Sequence, residues 1–432
     1  MICKNVEKIN GHIFFGGRDV TALAGKYGTP LYLMDEKRIR ENCRTYKNAM
    51  KKAFGDAAKP LYASKACSFK QIYRIMKEEG MGIDVVSCGE IFTASEAGFD
   101  MADAFFHGNC KTDADISYAM DKGVGYFVAD NRDEIEAIDR EAAARGRVQK
   151  VLLRVTPGID THTYEAVNTG KVDSKFGAAI ETGQAEELLA LTLGMKNIAF
   201  AGLHCHVGSQ VFGEDVFERA AKIMLDFVSR IREKYGVETP ILDLGGGYGV
   251  RYVEGDGQID IAEKIASVGA VIKAECAEKG MPVPFICLEP GRSIVADAGM
   301  TVYTVGSVKE IPGYRNYVAI DGGMTDNPRF ALYKSKYTVL AAGRADEECS
   351  FPCSLVGRCC ESGDIIAESI TLPRMKRGDL VAVCTTGAYN FSMSSEYNRI
   401  ARPPVVMIDG DRDYLAVRRQ TLEDLAERDL LS

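Results

Sequence analysis

The sequence predicts a (β/α)8 TIM-like barrel followed by a C-terminal β-sandwich or barrel-like domain. Three observations predict it. Short apolar runs alternate with amphipathic stretches over residues 30–290, the texture then changes to short strands with Gly, Pro and Asp turns, and 432 residues accommodate both parts. An open doubly wound sheet is the structural alternative, but the early Gly-rich dinucleotide fingerprint is missing.

The barrel strands are expected at 61–63, 83–86, 104–106, 126–128, 151–155, 198–206, 241–244 and 285–288. A ninth candidate, 31–34, is assigned to a leading element outside the barrel. Helical stretches such as 130–144 and 215–234 lie between the strands. In a closed barrel the first and last strands are neighbours, so Lys65 and Glu289 are expected to project from one rim. Beyond 290, strands are expected at 302–308, 317–321, 337–341, 350–356 and 380–384. Gly11-His-Ile-Phe-Phe-Gly-Gly is also strand-like. The expected division is residues 1–30 joining the β domain, 31–290 as barrel, and 291–432 as β domain.

The chain is 46% hydrophobic and 26% charged, an ordinary globular composition. A net charge of -8 argues against nucleic acid and anionic membrane as main partners. No apolar run approaches membrane-spanning length and the first residues lack an apolar signal core, so a cytoplasmic protein is expected. Thirteen scattered cysteines read as buried thiols rather than a disulfide framework. Cys349, Cys353, Cys359 and Cys360 lack the paired spacing of a zinc site. With five histidines (His12, His107, His162, His204, His206), no histidine-rich metal centre is expected.

Four segments carry chemistry. Lys65 closes the strand-like run Leu61-Tyr-Ala-Ser-Lys; a desolvated amine at the carboxyl end of a parallel strand can form an imine with an aldehyde. Alone, such a lysine is more often a surface residue. Asp243-Leu-Gly-Gly-Gly-Tyr-Gly follows a strand, and consecutive glycines let an anion approach backbone N–H groups, although a plain tight turn reads the same way. His204-Cys-His-Val-Gly-Ser-Gln puts two histidines at strand period; they could ligate a metal, or one imidazole could stack on an aromatic cofactor with Ser209 on a phosphate. Glu289-Pro-Gly-Arg offers a carboxylate that could pair with Arg292 or hold a proton on a heterocyclic nitrogen. A lysine, an acid and a phosphate cup together are what pyridoxal 5'-phosphate requires.

Tyr62-Ala-Ser-Lys-Ala, His204-Cys-His-Val-Gly-Ser-Gln, Gly245-Gly-Gly-Tyr-Gly and Glu289-Pro-Gly-Arg resemble the fold-type III, alanine racemase-like pyridoxal phosphate decarboxylases of basic amino acids. The resemblance runs almost end to end. It implies Lys65 as the cofactor lysine, His206 as the ring-stacking residue, and Ser209, Gly246, Gly247, Gly291 and Arg292 around the phosphate. It further implies Glu289 at the pyridine nitrogen and Tyr389, from Thr386-Gly-Ala-Tyr, on cofactor and substrate.

The same resemblance implies a homodimer with shared active sites. Gly357-Arg-Cys-Cys-Glu-Ser-Gly-Asp matches a loop given to the partner, with Cys360 helping to return a proton and Glu361 receiving the substrate's distal amino group. Arg329 and Tyr333 match residues that bind a distal carboxylate, and Arg292 is expected on a carboxylate too. A sequestered carboxylate wants a guanidinium fork, whereas ornithine and lysine have no second carboxylate. The implied reaction is decarboxylation of meso-2,6-diaminopimelate to L-lysine, with a broad ornithine/lysine decarboxylase of the same fold as the alternative. Two positions depart from the family pattern: Cys67 stands for an asparagine and Phe330 for a proline.

Overall fold

In a computed structural model the protein is described over residues 2–159, 172–213 and 215–431. His162 lies outside the described residues. The chain divides into two compact units: Cys43–Gly249 with Gln258–Gly291, and Met1–Asn42 with Val250–Gly257 and Arg292–Ser432.

The first unit is a closed parallel barrel. Its strands are Ala58–Ala63, Gly82–Val85, Ala104–Phe106, Tyr126–Ala129, Gln149–Thr156, Ile198–His204, Ile241–Asp243 and Phe285–Leu288. Each pairs in parallel with the next, and the eighth returns to the first with Leu288 opposite Pro60. These are the eight strands expected from the sequence, within a few residues at each end. Their continuous burial explains why they read as unbroken apolar runs, since both faces of such a sheet are covered. Leu61, Phe105, Val128, Leu152, Ala201 and Cys287 pack together in the interior.

Helices cross between the strands, as parallel pairing demands. Arg132–Ala144 starts where Asn131 accepts the Glu134 N–H, carries Asp133 and Glu134 in its first turn, and buries Ile135, Ile138 and Ala142. Val216–Tyr235 ends at Gly236, whose φ of 66° closes the helix. Gly202 has φ 149°, and a Cβ there would strike the Ile241 carbonyl of the adjacent strand. The pairing register shifts at that point.

The second unit is built on sheet. Gly299–Glu310 runs antiparallel to Leu31–Asp35, Asn316–Ile320 and Leu380–Cys384. Leu31–Asp35 is thus outside the barrel, as assigned. Val6–Ile9, His12–Phe15 and Arg18–Asp19 form a small antiparallel sheet, and Ile13, Phe15, Leu31, Leu33, Met300 and Val302 share one core.

The compact units differ from the division drawn from the sequence. The β unit takes residues through Asn42 rather than 30, because Leu31–Asp35 pairs with its strands. It also takes Val250–Gly257 out of the middle of the barrel sequence. Three strands of the C-terminal part were not expected, Ile365–Leu372, Val405–Asp409 and Arg412–Val417, nor were the short Val6–Ile9, Arg18–Asp19 and Ala178–Ala179. In the first, Ser369 has φ 53° and the pairing with Phe351–Val356 is irregular, which breaks the period-2 pattern. Among the described residues no helix is long and apolar enough to cross a membrane.

Candidate active site

In the barrel unit the expected cofactor residues sit at the carboxyl ends of the strands. Lys65 lies in the single helical turn Ser64–Ala66 directly after the first strand. Tyr62 donates to the Cys67 carbonyl at 2.8 Å and the Cys67 N–H to Ser64, so the turn is held by backbone groups that cysteine supplies as well as asparagine. Burial pushes the Cys67 thiol up to about 12, which keeps it inert. The Lys65 ammonium pairs with Asp84, a fully buried carboxylate on the second strand.

His206 lies just past the end of Ile198–His204, where its Nδ1 accepts the Gly246 N–H at 3.2 Å. That contact fixes the ring and leaves the proton on Nε2. Burial, then the charges of Arg154 and Lys65, pushes His206 down to about 3, so the imidazole is neutral. Gly247 has φ 108°, and a Cβ there would meet the Gly208 carbonyl beside Ser209. A Cβ on Gly246 would meet the Glu289 carbonyl, and one on Gly291 would lie 2.8 Å from the Ala63 Cβ. The cradle exists because these positions carry no side chain.

Glu289 follows the eighth strand and is 5% exposed. Its Oε1 lies 2.8 Å from His107 Nε2 and its Oε2 3.3 Å from His204 Nε2. Burial alone would raise this carboxyl, but His107 and His204 outweigh burial and hold it well below the usual range. Asp243 moves the other way: burial, then the Glu289 charge, pushes it well above the ordinary carboxylate value. His204 is therefore grouped with His107, Asp243 and Glu289, whose ligand atoms all lie within 4.8 Å of one another, and His206 is not among them. These residues fit a pyridoxal phosphate: a lysine for the aldehyde, a neutral imidazole, glycines open to an anion, and an ionised acid.

The β unit holds the expected substrate residues. Arg329 and Tyr333 share one face of the helix Arg329–Tyr333 by their spacing of four. The Arg329 guanidinium, 6% exposed, sits 5.9, 5.5 and 5.5 Å from the rings of Tyr252, Tyr333 and Tyr389. Arg292 donates to the Tyr252 hydroxyl at 2.8 Å and lies 4.7 Å from the Tyr389 ring. Tyr389 has φ 61°, a conformation that a bulky residue keeps only when its surroundings impose it. Phe330 is buried.

Cys360 and Glu361 are exposed in a turn of this unit. Asp364 anchors that turn through the Cys359 N–H at 2.7 Å, and also accepts the Met324 N–H at 2.6 Å. One carboxylate thus ties the 357–364 turn to the 321–329 turn that leads into Arg329.

Sequence reasoning missed Asp84, His107, Asp243, Tyr252 and Asp364. Asp84 carried a signal, a lone acid inside the apolar run Gly82–Val85, as did His107 directly after Phe105 and Phe106. Tyr252 carried none, because nothing local shows that its segment joins the β unit.

The family model for the pyridoxal-binding domain of pyridoxal-dependent decarboxylases matches residues 36–296. The diaminopimelate decarboxylase of Bacillus subtilis (strain 168) is 44% identical over 421 residues, covering 98% of this chain and 96% of that protein. That of Staphylococcus aureus (strain COL) is 42% identical, covering 97% and 98%. The crystal structure of diaminopimelate decarboxylase from M. jannaschii in co-complex with L-lysine superposes with a TM-score of 0.93 at 32% identity, covering 100% of this chain and 99% of that one. The lysine at the barrel rim, the glycine cradle and the acid at the last strand thus lie in a chain that belongs to the pyridoxal-dependent decarboxylases and, within them, to the diaminopimelate decarboxylase family.

Proposed function

We propose that the protein decarboxylates meso-2,6-diaminopimelate to L-lysine and CO2 with pyridoxal 5'-phosphate, as a cytoplasmic homodimer. When bound, the cofactor supplies an aldehyde that takes an amine and a ring that accepts the electron pair released as CO2 leaves. Lys65 would hold the aldehyde, with Asp84 fixing the amine's position. Ser209, Gly246, Gly247, Gly291 and Arg292 would hold the phosphate, and His206 and Tyr389 the ring. Glu289 would keep the ring nitrogen's proton.

The observation that carries the substrate assignment is Arg329. A buried guanidinium is costly unless it meets an anion, yet among the described residues Arg329 forms no ion pair with a carboxylate. Tyrosines surround it instead. Diaminopimelate brings the second carboxylate that ornithine and lysine lack. Arg292, Arg329 and Tyr333 act on carboxylates in this reading. Glu361 of the partner subunit takes the distal ammonium, and the partner subunit's Cys360 returns a proton to the substrate carbon.

CO2 release from meso-diaminopimelate, ornithine and lysine tests the reading. We expect rapid release from the first alone; equal rates on all three would overturn the assignment.

A further inference from the structure

Glu289 has company that its task does not by itself require. Four residues at the carboxyl ends of four barrel strands converge: His107 after Ala104–Phe106, His204 ending Ile198–His204, Asp243 ending Ile241–Asp243, and Glu289 after Phe285–Leu288. All four are at most 5% exposed. His204 Nε2 is hydrogen-bonded to Glu289 Oε2 at 3.3 Å, His107 Nε2 lies 2.8 Å from Oε1 without hydrogen-bond alignment, and the two rings meet edge to face at 4.8 Å and 73°. Asp243 accepts the Gly245 N–H at 2.9 Å, which ties it to the glycine turn.

A carboxylate in a site this dry tends to take up a proton and become an acid. An acid would compete for the proton that the ring nitrogen needs. It would also be free to rotate, since a carboxyl group with one bonded oxygen has no fixed plane. Two imidazoles, one bonded to Oε2 and one close against Oε1, address both problems. Their directions differ, because His107 belongs to the third strand while His204 belongs to the sixth.

We propose that His107 and His204 are positioning residues that hold Glu289 as a fixed carboxylate, His204 through an Nε2–H bond to Oε2 and His107 through the close approach of its Nε2 to Oε1. The inference rests on the reading of Glu289 as the partner of the cofactor's ring nitrogen. It assigns the cluster to proton placement rather than to a metal ion, although the donor set would suit one. The clamp follows the same logic by which outer partners orient the ligands of a metal site.

The clamp makes a prediction about the unaltered protein. With only five histidines, 15N-histidine spectra of the holoenzyme can be assigned by single substitutions. His107 and His204 should both carry a proton on Nε2; either imidazole with a bare Nε2 overturns the proposal.

A second measurement uses cofactor labelled with 15N in its ring. Glu289→Gln should move the ring-nitrogen shift toward the unprotonated value. His107→Phe and His204→Phe should move it part of the way and weaken cofactor retention about tenfold, the loss of one charge-assisted hydrogen bond. His107→Gln, which restores a donor, should recover the shift. If Glu289→Gln moves the signal and neither histidine variant does, the clamp is wrong while the nitrogen assignment stands. If Glu289→Gln leaves it unmoved, the nitrogen assignment itself fails. Should the phenylalanine variants not fold, the tautomers decide. Stoichiometric zinc retained by the purified apoprotein would also overturn the proposal.

Discussion

Lys65 reaches back over the barrel to Asp84, a carboxylate with no exposed surface on the neighbouring strand. The register explains the pairing. Ala63 stands opposite Asp84, and the helical turn Ser64–Ala66 that follows directly brings Lys65 to that carboxylate. The barrel thus fixes one end of the pair in its core, while the lysine end is 40% exposed.

This asymmetry sets a modest stability effect and a large functional one. Asp84→Asn keeps the shape and removes the charge; water screens the lysine end, so we expect a loss of about 1 kcal/mol in urea unfolding. Lys65→Ala in that background should add little, and additive effects would show that the two residues are not coupled. Lys65→Ala alone should abolish the absorbance of lysine-bound cofactor and reduce turnover at least about a thousandfold.

How far the sequence foretold this site depends on how local each signal was. Lys65, His206, Gly246 and Glu289 were legible because each belongs to a short motif next to a strand end, and strand ends follow from the apolar periodicity. Asp84, His107 and Asp243 were not, since their meaning comes from partners on other strands. His107 touches Glu289, 182 residues later, only because the barrel closes. Tyr252 was hidden differently: the polar loop after the glycines gives no sign that Val250–Gly257 belongs to the β unit.

Glu90 gives a pH test. Burial, then the nearby Asp84 charge, pushes its carboxyl up to about 7, above the ordinary 4.5. Between those values the folded protein holds a proton that the unfolded chain has released. Glu90 therefore costs stability as pH rises through this window, by at most about 1.4 kcal/mol per pH unit. Glu90→Gln keeps an acceptor for the Val86 N–H, bonded at 2.8 Å. Its stability relative to the parent should be equal near pH 4.5 and increasingly greater toward pH 7. Urea midpoints at three pH values would check this, and a margin independent of pH would refute it.

Arg329 sets specificity through a guanidinium that a lysine does not replace. Arg329→Lys retains the charge but loses the two-pronged geometry, so kcat/KM on meso-diaminopimelate should fall roughly 10- to 100-fold, the value of a charge-assisted hydrogen bond or two. The absorbance of lysine-bound cofactor should persist, because the proposed reading gives Arg329 to the substrate's distal carboxylate and not to the cofactor. A variant that loses cofactor as well would place Arg329 in a different role.

Shared active sites can be tested by mixing two dead proteins. Lys65→Ala removes the cofactor lysine from the barrel unit, whereas Glu361→Ala removes the distal-amine acceptor from an exposed turn of the β unit. If each site takes its lysine from one protomer and its glutamate from the other, a mixed dimer contains one site with both defects and one intact site. Random exchange of equal amounts makes half the dimers mixed, so activity should recover to about a quarter of the parent value. If both residues serve a site within one protomer, every site in the mixture carries one defect and no activity returns. Glu361 bonds only its own turn, through the Gly363 N–H at 3.2 Å among the described residues, so its removal should leave the fold intact and the assay interpretable.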